Sequence, residues 1–157
     1  MSLDEDLRNL SKIPVFATLE NDARRLIAFT GETRALRPGD VLFHRGDKAD
    51  AGFVVQSGSL TLTYEDQSGG VPVEVVMPHT LIGEIALISE IERPVTAYAT
   101  EPTTVLKINR TLFHRVLREH PISAARLKAF LEKRLNDFAK EMAESPFLAG
   151  DGAKAQR

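Results

Sequence analysis

From Glu32 to Ile108 the chain is cut into short apolar or β-branched runs by turn-forming residues: Pro38-Gly39-Asp40, Gly46-Asp47, Ser57-Gly58, Ser68-Gly69-Gly70, Pro78 and Glu101-Pro102. The runs between them include Val41-Leu42-Phe43, Phe53-Val54-Val55, Ser59 to Tyr64, Val73 to Met77, Val95 to Thr100 and Thr104 to Ile108. Each is of strand length, and Gly, Pro and Asp supply the tight connections. This grammar predicts an antiparallel sandwich or barrel of jelly-roll type.

Helical periodicity brackets the strands. Ala23, Leu26, Ile27 and Thr30 follow the i, i+3, i+4, i+7 rule, so Asp22 to Thr30 reads as a short helix ended by Gly31. Asn109 can cap a helix carrying Leu112, Phe113, Val116 and Leu117, which stops before Pro121. Pro121 suits the first turn of a second helix running to about Ala143. Leu127, Leu131, Leu135, Phe138 and Met142 form its apolar stripe, at spacings of four, four, three and four. The expected organisation is an N-terminal helical segment (1–31), a β-roll (32–108), C-terminal helices (109–143) and a mobile tail (144–157). The class is mainly β with flanking helices: a jelly roll with an N-terminal helix, a short helix inside the roll and two C-terminal helices.

That short helix falls at Ile82-Gly83-Glu84-Ile85-Ala86-Leu87, with Arg93 nine residues after Glu84. Glycine lets a ligand approach the backbone, and the first N–H groups of a helix lack internal partners. An ionised glutamate only accepts hydrogen bonds, which suits a sugar hydroxyl. Arginine offers a charged fork suited to phosphate. The segment 82–96 is therefore the candidate ligand site, a grip for a sugar hydroxyl beside a phosphate. A plain Glu84–Arg93 surface ion pair is the bland alternative.

Composition removes other classes. The 157 residues contain no cysteine, which excludes thiolate metal sites and cysteine catalysis. His44, His79, His114 and His120 are scattered without a metal-ligand spacing. No Ser/His/Asp grouping stands out, so an enzyme is not expected. A net charge of -2, from 20 Lys+Arg against 22 Asp+Glu, disfavours direct nucleic-acid binding. No basic start leads into an apolar stretch, and no apolar run approaches membrane-spanning length. Cytoplasm, with no membrane partner, is the default expectation.

Taken in order, the motifs resemble the cyclic nucleotide-binding domain, the family of the catabolite activator protein, kinase regulatory subunits and nucleotide-gated channels. The similarity covers roughly residues 10–143. It rests on Pro14-Val15-Phe16, Pro38-Gly39-Asp40-Val41-Leu42-Phe43, the turn glycines of Gly46-Asp47…Gly52-Phe53-Val54-Val55…Gly58, and Ile82 to Leu87 with Arg93. The resemblance implies that Glu84 binds a ribose hydroxyl, Arg93 pairs with the cyclic phosphate, and Gly83 and the amides of Ile85 and Ala86 border the phosphate. Val95, two residues after the cassette arginine, joins the candidate ligand contacts, and Thr96 matches a family hydroxyl position. Val73 and Val76 become candidates for the wall against the base. Phe138 falls where the last helix of the catabolite activator protein presents a hydroxyl to adenine, and it can stack on a base instead. Arg134 is a further candidate for the pocket mouth.

One departure stands out. The family's cassette arginine is usually followed by Ala, Ser or Thr, and here Pro94 follows. Proline has no N–H, so one donor to phosphate is lost, worth roughly 1.5–3 kcal/mol. Proline also holds Arg93 extended. The implied function is a cAMP- or cGMP-binding sensor whose last helix moves with ligand, with no cofactor beyond that nucleotide. The implied partners are a second copy through helix 121–143 and an unknown downstream protein. The alternative is a nucleotide-independent dimerisation or docking module. About a dozen residues follow Ala143, too few for a helix-turn-helix motif, so any DNA contact is expected from a partner.

Overall fold

The computed structural model describes residues 3–144. Three helices open the chain, α1 (Leu3–Ser11), α2 (Pro14–Ala17) and α3 (Asn21–Thr30). Ten strands follow: β1 (Glu32–Leu36), β2 (Val41–Phe43), β3 (Lys48–Ala49), β4 (Ala51–Ser57), β5 (Leu60–Thr63), β6 (Pro72–Val76), β7 (Leu81–Ile82), β8 (Ile91–Glu92), β9 (Thr96–Tyr98) and β10 (Thr103–Asn109). A short 3-10 helix, Glu84–Leu87, lies between β7 and β8, and α4 (Arg110–Glu119) and α5 (Pro121–Glu144) close the described chain. The expected tail after residue 144 lies outside the described residues.

The strands form two four-stranded antiparallel sheets, ordered β1-β10-β4-β7 and β2-β9-β5-β6, and a small β3-β8 ribbon. The roll is not a closed barrel. Strand β4 shows why a run can be apolar at every position. Val54 faces a cluster shared with the helices, while Phe53 and Val55 face the roll interior. Strand β10 repeats the pattern, with Leu106 and Ile108 on the helix side and Val105 inside. Side chains alternate faces along a strand, so covering both faces gives a continuous apolar run rather than an alternating one.

The helix-side core is the larger. Phe16 and Phe113 meet edge-to-face at 6.2 Å, and Leu10, Ile27, Leu106 and Leu127 join them. Asn109 caps α4 as expected, its side chain accepting from Thr111 N at 2.8 Å. The start of α5 is fastened to the start of α3: buried Ser123 Oγ accepts from Glu20 N at 2.8 Å and donates to its carboxylate at 3.2 Å.

Two helices precede the one read from the sequence. Leu3, Leu7 and Leu10 give α1 an apolar edge that packs into the helix-side core. Nine residues are too few for a stable isolated helix, so that docking stabilises it. Strand β1 reads Glu-Thr-Arg-Ala-Leu and is mostly exposed. It exists because β10 offers it a free edge, with Glu32 opposite Lys107 and Leu36 opposite Thr103.

Candidate functional site

Gly83 stands at the entry to the short helix with φ 77 and ψ 31, the left-handed region that glycine adopts without strain. A Cβ there would sit 2.6 Å from Arg93 Nη1 and 3.1 Å from the carbonyl of Ala51. Glycine is required twice over, for the backbone turn and for the close approach of Arg93.

Arg93 is 5% exposed. Its guanidinium lies over the Phe43 ring at 4.3 Å and the Phe53 ring at 5.4 Å. Nη2 donates to Ala51 O at 2.8 Å. The backbone is pinned as well: Arg93 N donates to Asp47 O at 2.7 Å, and Gly46 N donates to Arg93 O at 2.8 Å. Nη1 is buried with no hydrogen-bond partner among the described residues. Burial pulls the guanidinium pKa below its ordinary value, with Asp50 and Asp47 opposing the shift. Arginine starts so far above neutrality that the group stays charged. A buried cationic N–H without an acceptor is costly, and an anion in the adjoining space would relieve it.

That space is a cavity of about 350 Å³ lined by Phe43, Leu62, Leu81, Ile82, Gly83, Glu84, Ile85, Ile91, Arg93, Pro94 and Val95. Its size and mixed lining suit a small ligand with one charged end. A second cavity of about 470 Å³ adjoins it, sharing Leu81 and Glu84, and is walled by Ile13 to Val15, His79, Thr80, Phe130 and Arg134. Glu84 stands between the two. Its carboxylate does not meet Arg93; it accepts a hydrogen bond from Arg134 Nη1 on α5. Arg134 also lies over the Phe130 ring at 5.5 Å.

The structure thus brings Gly83, Glu84, Ile85, Arg93, Pro94 and Val95 together around one cavity. Ala86 is buried beneath it, and its N–H donates to Gly83 O at 3.0 Å, which commits that amide to the turn. Thr96 is fully buried, and its hydroxyl accepts from Arg45 N at 2.9 Å. The two candidate wall residues and the last-helix candidate Phe138 line neither cavity. Val73 is exposed on edge strand β6, Val76 is buried in the roll interior, and Phe138 is 59% exposed one turn beyond Arg134. On α5 it is Phe130 and Arg134, one to two turns before Phe138, that line the cavity beside Glu84. Phe43 and Phe53 were legible as strand residues but not as the bed of Arg93, since sequence spacing says nothing of which strands face the cassette.

The profile of the cyclic nucleotide-binding domain matches residues 33–120. The chain belongs to this family. A cyclic nucleotide-binding-like protein from Brucella abortus is 35% identical, covering 72% of this chain and 97% of that one, with a TM-score of 0.66. The N-terminal domain of a Streptomyces coelicolor transcriptional regulator is 27% identical over 85% of this chain and 94% of its own, with a TM-score of 0.77. The lysophospholipase NTE1 of Pyricularia oryzae is 30% identical over 81% of this chain. The chain spans only about 8% of that relative's length. Among the described residues, no helix is long and apolar enough to cross a membrane.

Proposed function

We propose that this chain is a cyclic-nucleotide sensor module rather than an enzyme, with the cyclic phosphate at Arg93, the ribose hydroxyl at Glu84 and the base toward Phe130 and Arg134. The carrying observation is the buried, unpartnered Nη1 of Arg93 beside a cavity that Glu84 also lines. Ionised Glu84 has lone pairs for both Arg134 and a ribose hydroxyl. Nucleotide and α5 therefore share one carboxylate, which gives binding a direct way to bias the position of the last helix. Pro94 supplies no amide to the phosphate, so more of the grip falls on Arg93.

Calorimetric titration with cAMP and cGMP tests the reading. Binding of either is expected, and Arg93→Ala should weaken it by about one to two decades, the worth of a charge-assisted hydrogen bond of roughly 1.5–3 kcal/mol. No heat with either nucleotide at about millimolar concentration, in protein with an intact thermal transition, overturns it.

A second reading is a dimerisation or docking module that needs no nucleotide. The far half of α5 favours it, because Leu135, Phe138 and Met142 form an exposed apolar seam. Their spacing of three and four matches a helix-pairing stripe. A dimer unchanged by saturating nucleotide in sedimentation would support this reading; a dimer that tightens with nucleotide would join it to the first.

A further inference from the structure

We propose that Arg110, the first residue of α4, is a positioning residue that sets the spacing between the phosphate and ribose contacts. The inference rests on the nucleotide-binding reading above. Arg110 Nη1 donates to three backbone carbonyls, Ala49 O at 3.1 Å, Ala86 O at 3.3 Å and Ser89 O at 3.0 Å. Its own backbone N–H donates to Asp50 O at 2.8 Å. Glu90 lies 3.9 Å from Nη2.

The three carbonyls belong to two different halves of the site. Ala86 O comes from the short helix that carries Glu84, and Ser89 O from the bend just after it. A short helix leaves its last carbonyls without intrahelical donors, and a guanidinium satisfies them with a charge. Ala49 O comes from β3, which pairs with β8 at Lys48↔Glu92 and Ala49↔Ile91. Strand β8 runs directly into Arg93. One guanidinium therefore holds the glutamate-bearing segment against the arginine-bearing ribbon. Arg110 lines neither of the two cavities at Glu84, so its effect on ligand passes through the groups it holds. Asn109 fastens the start of α4 with its own side chain, which leaves the arginine free to turn back onto the cassette. The same residue links α4, and through it α5, to both contacts.

The test compares wild type, Arg110→Gln and Arg110→Lys in cAMP and cGMP titration, with hydrogen exchange read at the amides of Ile88 and Ser89. Those two amides donate to Ile85 O at 3.0 and 2.9 Å, so they report the closure of the segment. Arg110→Gln is expected to weaken binding by about tenfold or more and to speed exchange at Ile88 and Ser89. Exchange at the core amides of Val54 and Val105 should stay unchanged. Arg110→Lys, which keeps the charge and part of the reach, should recover part of both effects. Unchanged affinity in Arg110→Gln overturns the proposal, as does weakened binding accompanied by faster exchange throughout the core. Should the Gln variant not fold, the Lys variant decides by the same two readouts. Wild type that binds neither nucleotide overturns the sensor reading itself, a result distinct from wild type that binds and a variant that binds equally well.

Discussion

The two charged groups flanking the candidate pocket are held in opposite ways. Arg93 is sunk in the roll, stacked on Phe43 and Phe53, with backbone bonds on both sides. Glu84 has a side chain 29% exposed, and its partner Arg134 is 52% exposed on a helix whose far half meets solvent. The first arrangement fixes a charge before any ligand arrives; the second leaves a charge on a part that can move at little cost. On the proposed function, preorganisation falls on the phosphate grip and adjustability on the contact that would report binding to a helix.

The sharpest way to break this contrast is to disturb the rigid side. Gly83→Ala forces a Cβ into the space of Arg93 Nη1 in a left-handed backbone. The conformation alone costs about 1–2 kcal/mol, and displacing the guanidinium should weaken nucleotide binding by at least about tenfold. Urea unfolding and titration read the two effects separately. Arg134→Gln probes the adjustable side. An exposed pair contributes about 0.2–1 kcal/mol, so stability should barely change. The nucleotide dependence of α5, followed by a spin label or exchange along 128–138, should fall. Equal stability losses in these two variants would erase the distinction between the two sides.

The smallest expected effect sharpens the same theme far from the pocket. Asp6 on α1 accepts from Gln56 Nε2 at 2.8 Å, while Gln56 Oε1 is buried without a partner among the described residues. Burial raises the Asp6 pKa above its ordinary value. The folded chain therefore holds this proton to higher pH than the unfolded chain does. Asp6 then contributes stability while protonated and loses it as pH rises through the raised value. Asp6→Asn keeps an acceptor, adds a donor suited to Gln56 Oε1 and removes the titration. It should be neutral to stabilising by up to about 1 kcal/mol, with an advantage that grows from acid toward neutral pH in denaturant melts.

Much of the architecture was legible because local rules agree with the fold. The turn residues separated the strands, Asn109 and Pro121 placed the two C-terminal helices, and Gly83-Glu84 with Arg93 marked the cassette. What escaped depended on partners distant in sequence. Helix α1 needs the core it docks on, and β1 needs the edge of β10. The short strands β3, β7 and β8 are two residues each and carry no periodicity of their own. Phe138 lines neither cavity beside Glu84 for a related reason. An apolar stripe identifies a helix face but not how far along its length another element crosses it.

Local rules were enough for the main strands of the roll, for α3 and for the two C-terminal helices, because turn chemistry, capping and periodicity act over a few residues; the family came from the resemblance of the ordered motifs, and with it the expected roles of Glu84 and Arg93. Tertiary packing buried Arg93 on two aromatic rings and left its Nη1 without a partner among the described residues. It alone decided that Glu84 would answer to Arg134, and that Arg110 would join the two halves of the site. Those relations link residues up to 61 positions apart, and no local rule carries such contacts; they are set by which faces the whole chain must bury.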